Sequence, residues 1–501
     1  MTQTLDKSKV LKNLRFGERI AEEELDDLER YFVATDQWSR VFSGEVDVVY
    51  GSKGAGKSAI YALIDKRQDE LFDRGIVVRS AENVRGNTAF KEVLGDPPPS
   101  ERSFIDLWKL YLLIISTNAI RDYGISDKST EHLISALTKA NLLPKSASLG
   151  QLFQQAKKLI WSYVFPEKES VEWTVALEPT TGLPIVTRKV NLAKRVAPED
   201  ERIDLPLDEL LGFAESALAK NGYSLWILFD RLDVAFNDTP DLERNALRAL
   251  FRVYNDFKAF DNIKLKLFVR DDIWERITEG GFAEASHITR TATITWSYES
   301  LLNLFIRRLV NNKEFVESFN VDVASVERDF DKQTELTEVI FPDKVETGNN
   351  PSTFRWMVNR VQDGSGKSAP RELIHMSEMI RQQQIGRLER GEDETSGNAL
   401  FERAVFKPAL REVSKVRYEQ TFKAENPSLS TYTEKMKGQK AEHTSETLAA
   451  LWGVSGADLD SVIERLLKAG FFEKRIIKEE TTYWVPFIYR DALELVQGKA
   501  G

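Results

Sequence analysis

The sequence predicts an α/β protein built on a doubly wound parallel sheet, and three observations support this fold class. Residues 47–50 are a β-rich run that leads through a glycine-rich loop into the helix-forming residues 58–67. Residues 225–229 are an unbroken apolar run, as a strand buried on both faces requires. A helical pattern at 240–258 follows, and residues 263–269 then indicate another buried strand. Strands that alternate with helices pair in parallel, so these segments predict one sheet with helices on both faces.

The first part of the chain adds elements around this sheet. Residues 18–32 place apolar side chains at helical spacing, so we predict a helix before the first strand. Residues 76–78 are a second β-branched run, and residues from about 125 to 205 then interrupt the alternation of strand and helix. Within them, alternating stretches at 171–175 and 185–190 flank a Pro-Thr-Thr-Gly turn, which predicts an insertion with a β-hairpin.

The chain beyond residue 297 has a helical pattern with breaks at 348–351 and 364–366, and the polar stretch 389–398 indicates a domain boundary. Residues 444–484 contain two short helices and then two β-rich runs around a charged tip, an order that is typical of a winged helix. We therefore predict four parts, which are an N-terminal helical segment (1–45), a sheet-containing core (46–296), a helical lid (297–390) and a winged-helix-like domain (400–501).

Composition restricts the class of protein. The length of 501 residues exceeds what one hydrophobic core normally supports, so two or three domains are expected. The net charge of −10 repels nucleic acid and anionic membranes, so any DNA contact must be local. The absence of cysteine excludes disulfides and thiolate chemistry. The longest apolar run, 110–115, is too short to cross a bilayer, and residues 1–12 lack a signal-peptide pattern, so we expect a cytoplasmic protein with no membrane partner.

The glycine-rich loop matches the phosphate-binding pattern G-x-x-x-x-G-K-[ST]. Its glycines let consecutive amides turn toward a polyphosphate at the N-terminus of a helix. Lys57 would then reach the β and γ phosphates, and the Ser58 hydroxyl would bind Mg²⁺, which prefers oxygen ligands. Because a β-rich run precedes the loop and a helix follows it, the sequence predicts a P-loop NTPase core with an ATP site formed by Gly51, Ser52, Lys53, Gly54, Ala55, Gly56, Lys57 and Ser58.

Four polar side chains beyond the loop are candidates for the same site. A magnesium site needs a carboxylate at the end of a neighbouring strand, and Asp230 ends the most apolar run in the chain. Asp233 either positions water or caps the next helix. Arg270 ends the next strand and either senses the γ-phosphate or pairs with a following aspartate. Arg371, after a glycine linker, either reaches the nucleotide from the lid or is a surface arginine.

Three aromatic residues precede the loop. Tyr31, Phe32 and Trp38 either line an adenine pocket or pack in the core.

Together these segments resemble the AAA+-related branch of ATPases that includes the STAND and origin-recognition types. The resemblance lies in residues 51–58, 229–233, 268–270 and 370–373, and a winged helix after the lid also fits. Residues 16–19 and 31–33, with Trp296, are similar to a poorly characterised family of bacterial P-loop ATPases.

The resemblance implies particular roles for the candidate residues. Lys57 and Ser58 would bind ATP, Asp230 would support magnesium, and Arg270 and Arg371 would sense the nucleotide. Relatives place a catalytic glutamate directly after the aspartate, whereas this chain has Arg231, so slow hydrolysis is expected, with Asp233 as the substitute. Related proteins act as nucleotide switches in bacterial anti-phage defence or in DNA transactions.

Three functions follow from these features. The first is an ATP-driven switch that signals its nucleotide state to a protein partner or effector subunit. The second is a DNA-handling ATPase that uses its winged helix, although the second helix of that unit carries a mixed set of charges without a basic stripe. The third is a homo-oligomeric motor with trans-acting arginines on the 240–258 helix, for which the candidates are Arg244, Arg248 and Arg252.

Overall fold

The strands form a core sheet, a hairpin and a C-terminal sheet. The computed structural model describes residues 6–18, 24, 27–81, 101–139, 142–143, 156, 168–177, 184–192, 207–232, 240–477 and 480–500. In chain order the strands are β1 (Val48–Gly51), β2 (Ile76–Ser80), β3 (Lys168–Leu177), β4 (Pro184–Leu192), β5 (Ser224–Phe229), β6 (Ile263–Arg270), β7 (Thr291–Thr293), β8 (Lys440–His443), β9 (Glu473–Ile477), β10 (Glu480–Trp484) and β11 (Val496–Lys499).

Helices flank the core sheet and make up most of the lid. Up to the end of the core they are α1 (Lys7–Asn13), α2 (Leu28–Tyr31), α3 (Asp36–Phe42), α4 (Lys57–Lys66), α5 (Gln68–Asp73), α6 (Glu101–Asp122), α7 (Lys128–Lys139), α8 (Leu207–Lys220), α9 (Pro240–Phe257) and α10 (Asp271–Thr278). The lid and C-terminal helices are α11 (Tyr298–Val310), α12 (Lys313–Phe319), α13 (Val323–Val326), α14 (Phe330–Ile340), α15 (Thr353–Arg360), α16 (Pro370–Glu389), α17 (Phe406–Val416), α18 (Lys423–Glu425), α19 (Pro427–Glu434), α20 (Ser445–Trp452), α21 (Gly456–Lys468) and α22 (Phe487–Arg490), with a π-helix at Arg417–Phe422 between α17 and α18.

The core sheet confirms the predicted parallel fold and corrects the predicted strand neighbours. Its order is β2-β5-β6-β1-β7, and every adjacent pair is parallel. The sequence analysis placed Asp230 on a strand next to the glycine loop, but β6 lies between β1 and β5. Arg270 is instead the nearer residue, since it is in register with Gly51. The order along the chain does not fix the order in the sheet, because the chain crosses over the sheet between strands.

Both faces of the sheet are covered, so the sheet is doubly wound. On one face, Trp108 of α6, Leu211 of α8 and Phe251 of α9 join a large cluster of buried side chains. On the other face, Trp38 of α3 and Ile60 of α4 pack against the sheet.

The predicted hairpin is present, and the N-terminal helix differs from its prediction. β3 and β4 pair antiparallel, with Val175 opposite Val186, while the turn between them lies outside the described residues. Within the predicted helix at 18–32 the structure describes the short α2, and residues 19–23 and 25–26 are outside the described part. A separate helix, α3, directly precedes the first strand.

The winged helix is also present. β8, α20, α21, β9 and β10 follow in that order, and the sheet order is β11-β8-β10-β9.

The lid and the winged helix share one buried apolar cluster. It includes Met376 of the lid, Phe422 of the π-helix and Phe471, which lies just before β9. The predicted linker at 364–366 is docked on the winged helix, because the Gly364 N–H donates to the Gly470 carbonyl over 2.7 Å. The cluster contains buried side chains from both sides of residues 389–398, so apolar packing continues across this predicted boundary. The domain limits stay predictions.

Across the parts of the chain that the structure describes, every helix is too short or too polar to span a bilayer.

Candidate functional site

The glycine loop joins β1 to α4 with a backbone that needs glycine at two positions. Gly54 and Gly56 have φ of +79° and +103°, in the left-handed region that strains other residues. Gly51 is packed closely, since an added Cβ would lie 3.2 Å from the Ala55 Cβ. A loop of this kind at the N-terminus of a helix is suited to bind anions. The loop and the parallel sheet together make an α/β P-loop NTPase core.

The loop lysine lies on the loop itself. Lys57 is buried, and its Nζ donates to the Gly51 carbonyl over 2.7 Å and to the Ser52 carbonyl over 2.9 Å. An ammonium group is therefore held at the N-terminus of α4.

Trp296 forms a hydrogen bond to the glycine loop. Its Nε1 donates to the Ala55 carbonyl over 2.8 Å, and its ring lies 3.9 Å from the Cβ position of Gly56. The sequence analysis used Trp296 only to mark a resemblance. Its position just after a β-rich run was the signal that it lies at this edge of the sheet.

A cavity of about 390 Å³ opens over the loop and is lined by both charged and apolar side chains. Its lining includes loop residues 53–58 with Asp230, Arg231, Arg270 and Arg371. The apolar side chains in the lining include those of Leu28, Tyr31, Phe32, Val33, Leu304 and Ile374. The cavity thus brings together residues that are far apart in the chain.

The three aromatic residues named before the loop all belong to or pack against one buried cluster, and two of them also line the cavity. Tyr31 and Phe32 line the cavity. Trp38 is a core residue, with its ring centroid 4.9 Å from that of Phe42 and 5.1 Å from that of Phe32.

Asp230 is almost fully buried at the end of β5 and lines the cavity. The next residue, Arg231, has φ of +53°, which is uncommon outside glycine and marks a locally strained turn. Asp233 lies outside the described residues. Of the two predicted aspartates, the structure therefore places Asp230 at the cavity.

Arg270 pairs with a following aspartate, which is one of the two alternatives that the sequence left open, and it also lines the cavity. Its Nε and one terminal nitrogen each donate to Asp272 over 2.9 Å, so the predicted pairing with a following aspartate is present. Burial alone would raise the pKa of Asp272, but the Arg270 guanidinium outweighs burial and holds that pKa below its usual value. Arg270 nevertheless lines the cavity, and its other terminal nitrogen lies 3.3 Å from Glu425.

Arg371 brings the lid onto the loop. It is the second residue of α16, and its Cβ lies 3.0 Å from the Cβ position of Gly54. A side chain on Gly54 would therefore push directly against the lid.

A buried ion pair joins the N-terminal segment to the lid beside the apolar lining. Arg308 of α11 donates to both carboxylate oxygens of Glu24, over 3.0 and 2.8 Å, and lies 4.3 Å from the centre of the Tyr31 ring. Burial, with the nearby Glu24 carboxylate, raises the pKa of Tyr31. This ion pair was not predicted from the sequence. The local signal for it was an arginine within the apolar pattern of α11.

Two of the candidate trans-acting arginines have partners in their own chain. Arg248 donates to the main-chain carbonyls of Ile277 and Glu279, and Arg252 pairs with Glu101 at 2.8 Å and Glu284 at 3.0 Å. These contacts fix α9 to the rest of the core.

No protein-family model matches this chain, and no curated protein matches it. Among solved structures, the chain is similar to the Walker-type ATPase of Pyrococcus abyssi, at 11% identity over 96% of this chain and 99% of that chain, with a TM-score of 0.41. It is also similar to the ORC1 protein of Aeropyrum pernix in complex with DNA, at 11% identity over 95% and 96% of the two chains, with a TM-score of 0.35. The chain is also similar to Cdc6p from Pyrobaculum aerophilum, at 11% identity over 93% of this chain and 96% of that chain, with a TM-score of 0.28. At this identity and these TM-scores, we draw no functional conclusion from the likeness.

Proposed function

We propose that this protein is an ATP-binding switch whose lid reports the nucleotide state to a protein partner or effector subunit. The observation that carries the proposal is the single cavity lined by the glycine loop, by Asp230 and Arg270 of the core, and by Arg371 of the lid. A ligand in this cavity touches core and lid together, so its binding free energy can favour one lid position over another.

The cations that line the cavity fit a triphosphate. Lys57 and the amides at the start of α4 supply positive charge, and Arg270 and Arg371 add two guanidinium groups that suit phosphate oxygens. The apolar part of the lining, including Tyr31 and Phe32, fits a purine ring. The presence of both kinds of group in one cavity favours a nucleoside triphosphate over a simple anion.

The residues at the cavity also fit magnesium. Ser58 offers a hydroxyl and Asp230 a carboxylate, which are oxygen ligands of the kind Mg²⁺ prefers. In the described residues no group of three or more His, Asp or Glu side chains could hold a metal ion by itself. Magnesium would therefore enter with the phosphates and complete its shell with phosphate oxygens and water.

Hydrolysis is expected to be slow. The residue after Asp230 is Arg231, in place of a carboxylate that could orient water, and Asp233 remains the candidate for that task. A slow ATPase holds its bound state for longer, which suits a switch better than a motor.

Equilibrium ATP binding by the purified protein tests the proposal. We expect Lys57→Ala to weaken ATP binding by about tenfold or more, because the ammonium would contact the β and γ phosphates. Lys66→Ala is a matched control at the other end of α4, where the lysine pairs with Glu29, and should leave affinity unchanged. Equal affinity in the wild type and Lys57→Ala would reject the proposed site.

The DNA-handling alternative has less support in the geometry. On α21, Lys468 pairs with Glu464 at 3.1 Å and Arg465 donates to Ser428, so these cations already have partners. A gel-shift titration across salt concentrations separates the two functions, because contacts to phosphates give a steep salt dependence. The biological process, whether anti-phage defence or a DNA transaction, stays a prediction from the resemblance.

A further inference from the structure

A carboxylate from the C-terminal part of the chain pairs with two cations that line the cavity. Glu425, the last residue of α18, forms an ion pair with Lys53 of the glycine loop. The same carboxylate oxygen lies 3.3 Å from a terminal nitrogen of Arg270. Lys53 and Arg270 both line the cavity, so one carboxylate bridges two cations of the proposed nucleotide site.

The segment that carries Glu425 is held firmly against the lid. Arg417, at the start of the π-helix, pairs with Glu372 at 2.9 Å, and Glu372 directly follows Arg371 in α16. Phe422, at the end of the π-helix, is buried in the cluster that the lid and winged helix share. The packed residues that precede Glu425 therefore anchor its backbone to the lid.

We propose that Glu425 is a specificity-determining residue that makes the site favour a nucleoside diphosphate over a triphosphate. The inference rests on the proposed function, since it concerns the same cavity. A γ-phosphate next to Arg270 and Lys53 must displace Glu425 from them or lie beside its negative charge. A diphosphate, held by Lys57 and the loop amides, needs neither cation and leaves the bridge intact.

The electrostatics support this discrimination. The three side chains are only 16 to 33% exposed, so their interactions are screened less than those of surface pairs. Carboxylate and phosphate compete for the same guanidinium geometry, and like charges brought together in a partly buried site repel. ATP binding thus carries a cost that ADP binding does not, and the cost arises in the C-terminal part of the chain.

The experiment compares dissociation constants for ADP and for a non-hydrolysable ATP analogue, both with Mg²⁺. Glu425→Gln keeps the size of the side chain and removes its charge. We expect the analogue to bind about tenfold more tightly to Glu425→Gln than to the wild type, with ADP affinity changed much less. Glu434→Gln is the matched control, because it removes the charge of a glutamate that pairs with Lys423, two residues before Glu425.

Further variants keep the proposal testable. In an Arg270→Gln background, Glu425→Gln should alter the preference far less, since one of the two cations is then missing. If Glu425→Gln fails to fold, Glu425→Asp, whose shorter side chain weakens the bridge, should shift the preference in the same direction. An unchanged ratio of the two affinities in a folded variant would overturn the role of Glu425. Failure of the wild type to bind either nucleotide would contradict the proposed function itself.

Discussion

Two ionisable side chains that line the cavity are buried away from water. Lys57 and Asp230 are both at most 8% exposed. Burying a charged group is costly unless it has polar partners, and the partners of the Lys57 ammonium include two neutral loop carbonyls. Phosphate oxygens are stronger acceptors for an ammonium than carbonyls are. The buried lysine is therefore suited to exchange its carbonyl partners for a nucleotide.

A different buried residue makes stability depend on pH. Burial lowers the pKa of His443, although its hydrogen bond to the Lys440 carbonyl opposes the effect. As pH falls through 6.5, the unfolded chain takes up a proton at this position and the folded chain does not, so stability is lost. We expect the urea midpoint of the wild type to fall more between about pH 7.5 and 5.5 than that of His443→Asn.

The exposed His287 supplies the control for this measurement. His287→Asn should keep the pH dependence of the wild type. The same loss in wild type and His443→Asn would show that His443 does not contribute.

The residue types at the site could be predicted largely from the sequence, because the loop pattern and the ends of apolar runs are local signals. Lys57, Asp230, Arg270 and Arg371 do line one cavity. The bridge from Glu425 could not be predicted, since nothing local links a residue after the lid to a loop that precedes it by hundreds of positions.

Elements of the core were predicted well where the apolar pattern was strong. The runs that became β5 and β6 are buried on both faces, and this requirement appears directly in the sequence. Their order in the sheet could not be obtained in the same way, because pairing depends on how the crossover helices pack. The contact between α16 and the glycine loop likewise depends on the whole fold.

The contact between loop and lid can be tested at Gly54. Gly54→Ala combines a left-handed φ of +79° with a Cβ that would lie 3.0 Å from the Arg371 Cβ. We expect about 1 kcal/mol or more of destabilisation and about a tenfold loss of ATP affinity, because loop and lid must move apart. Isothermal titration calorimetry with a thermal melt measures both quantities.

Gly453, after α20, separates backbone strain from the contact. Its φ is +73°, and an added Cβ would meet nothing within 4 Å. Gly453→Ala should therefore lose stability but keep ATP affinity. Unchanged binding in Gly54→Ala would show that this contact is unimportant.

At the scale of the molecule, one buried cluster joins side chains from several of the predicted parts of the chain. Side chains from α1, the lid, the π-helix and the winged helix pack together. Because the lid and the winged helix share this cluster, a movement of the lid would also displace side chains of the winged helix. The boundary at 389–398 was predicted from local polar composition. Composition does not show which distant apolar faces pack together.

Phe422 tests whether these parts behave as a unit. Its ring centroid lies 5.0 Å from that of Phe471 and 5.6 Å from that of Tyr489. We expect Phe422→Ala to cost about 3–5 kcal/mol, by cavity formation, and to speed hydrogen exchange in both α16 and α21. Phe330→Ala, at a ring that is 42% exposed, should change little. Faster exchange confined to the π-helix would contradict a shared unit.

In the proposed site, the glycine loop, Lys57, Ser58 and Asp230 hold a magnesium-bound triphosphate. The most direct test is a crystal structure with ATP and Mn²⁺, an oxygen-preferring ion with an anomalous signal that can replace magnesium. We expect the triphosphate on residues 51–58 and an anomalous peak between the Ser58 hydroxyl and the Asp230 carboxylate. Nucleotide bound elsewhere, or a metal peak far from Asp230, would contradict the account.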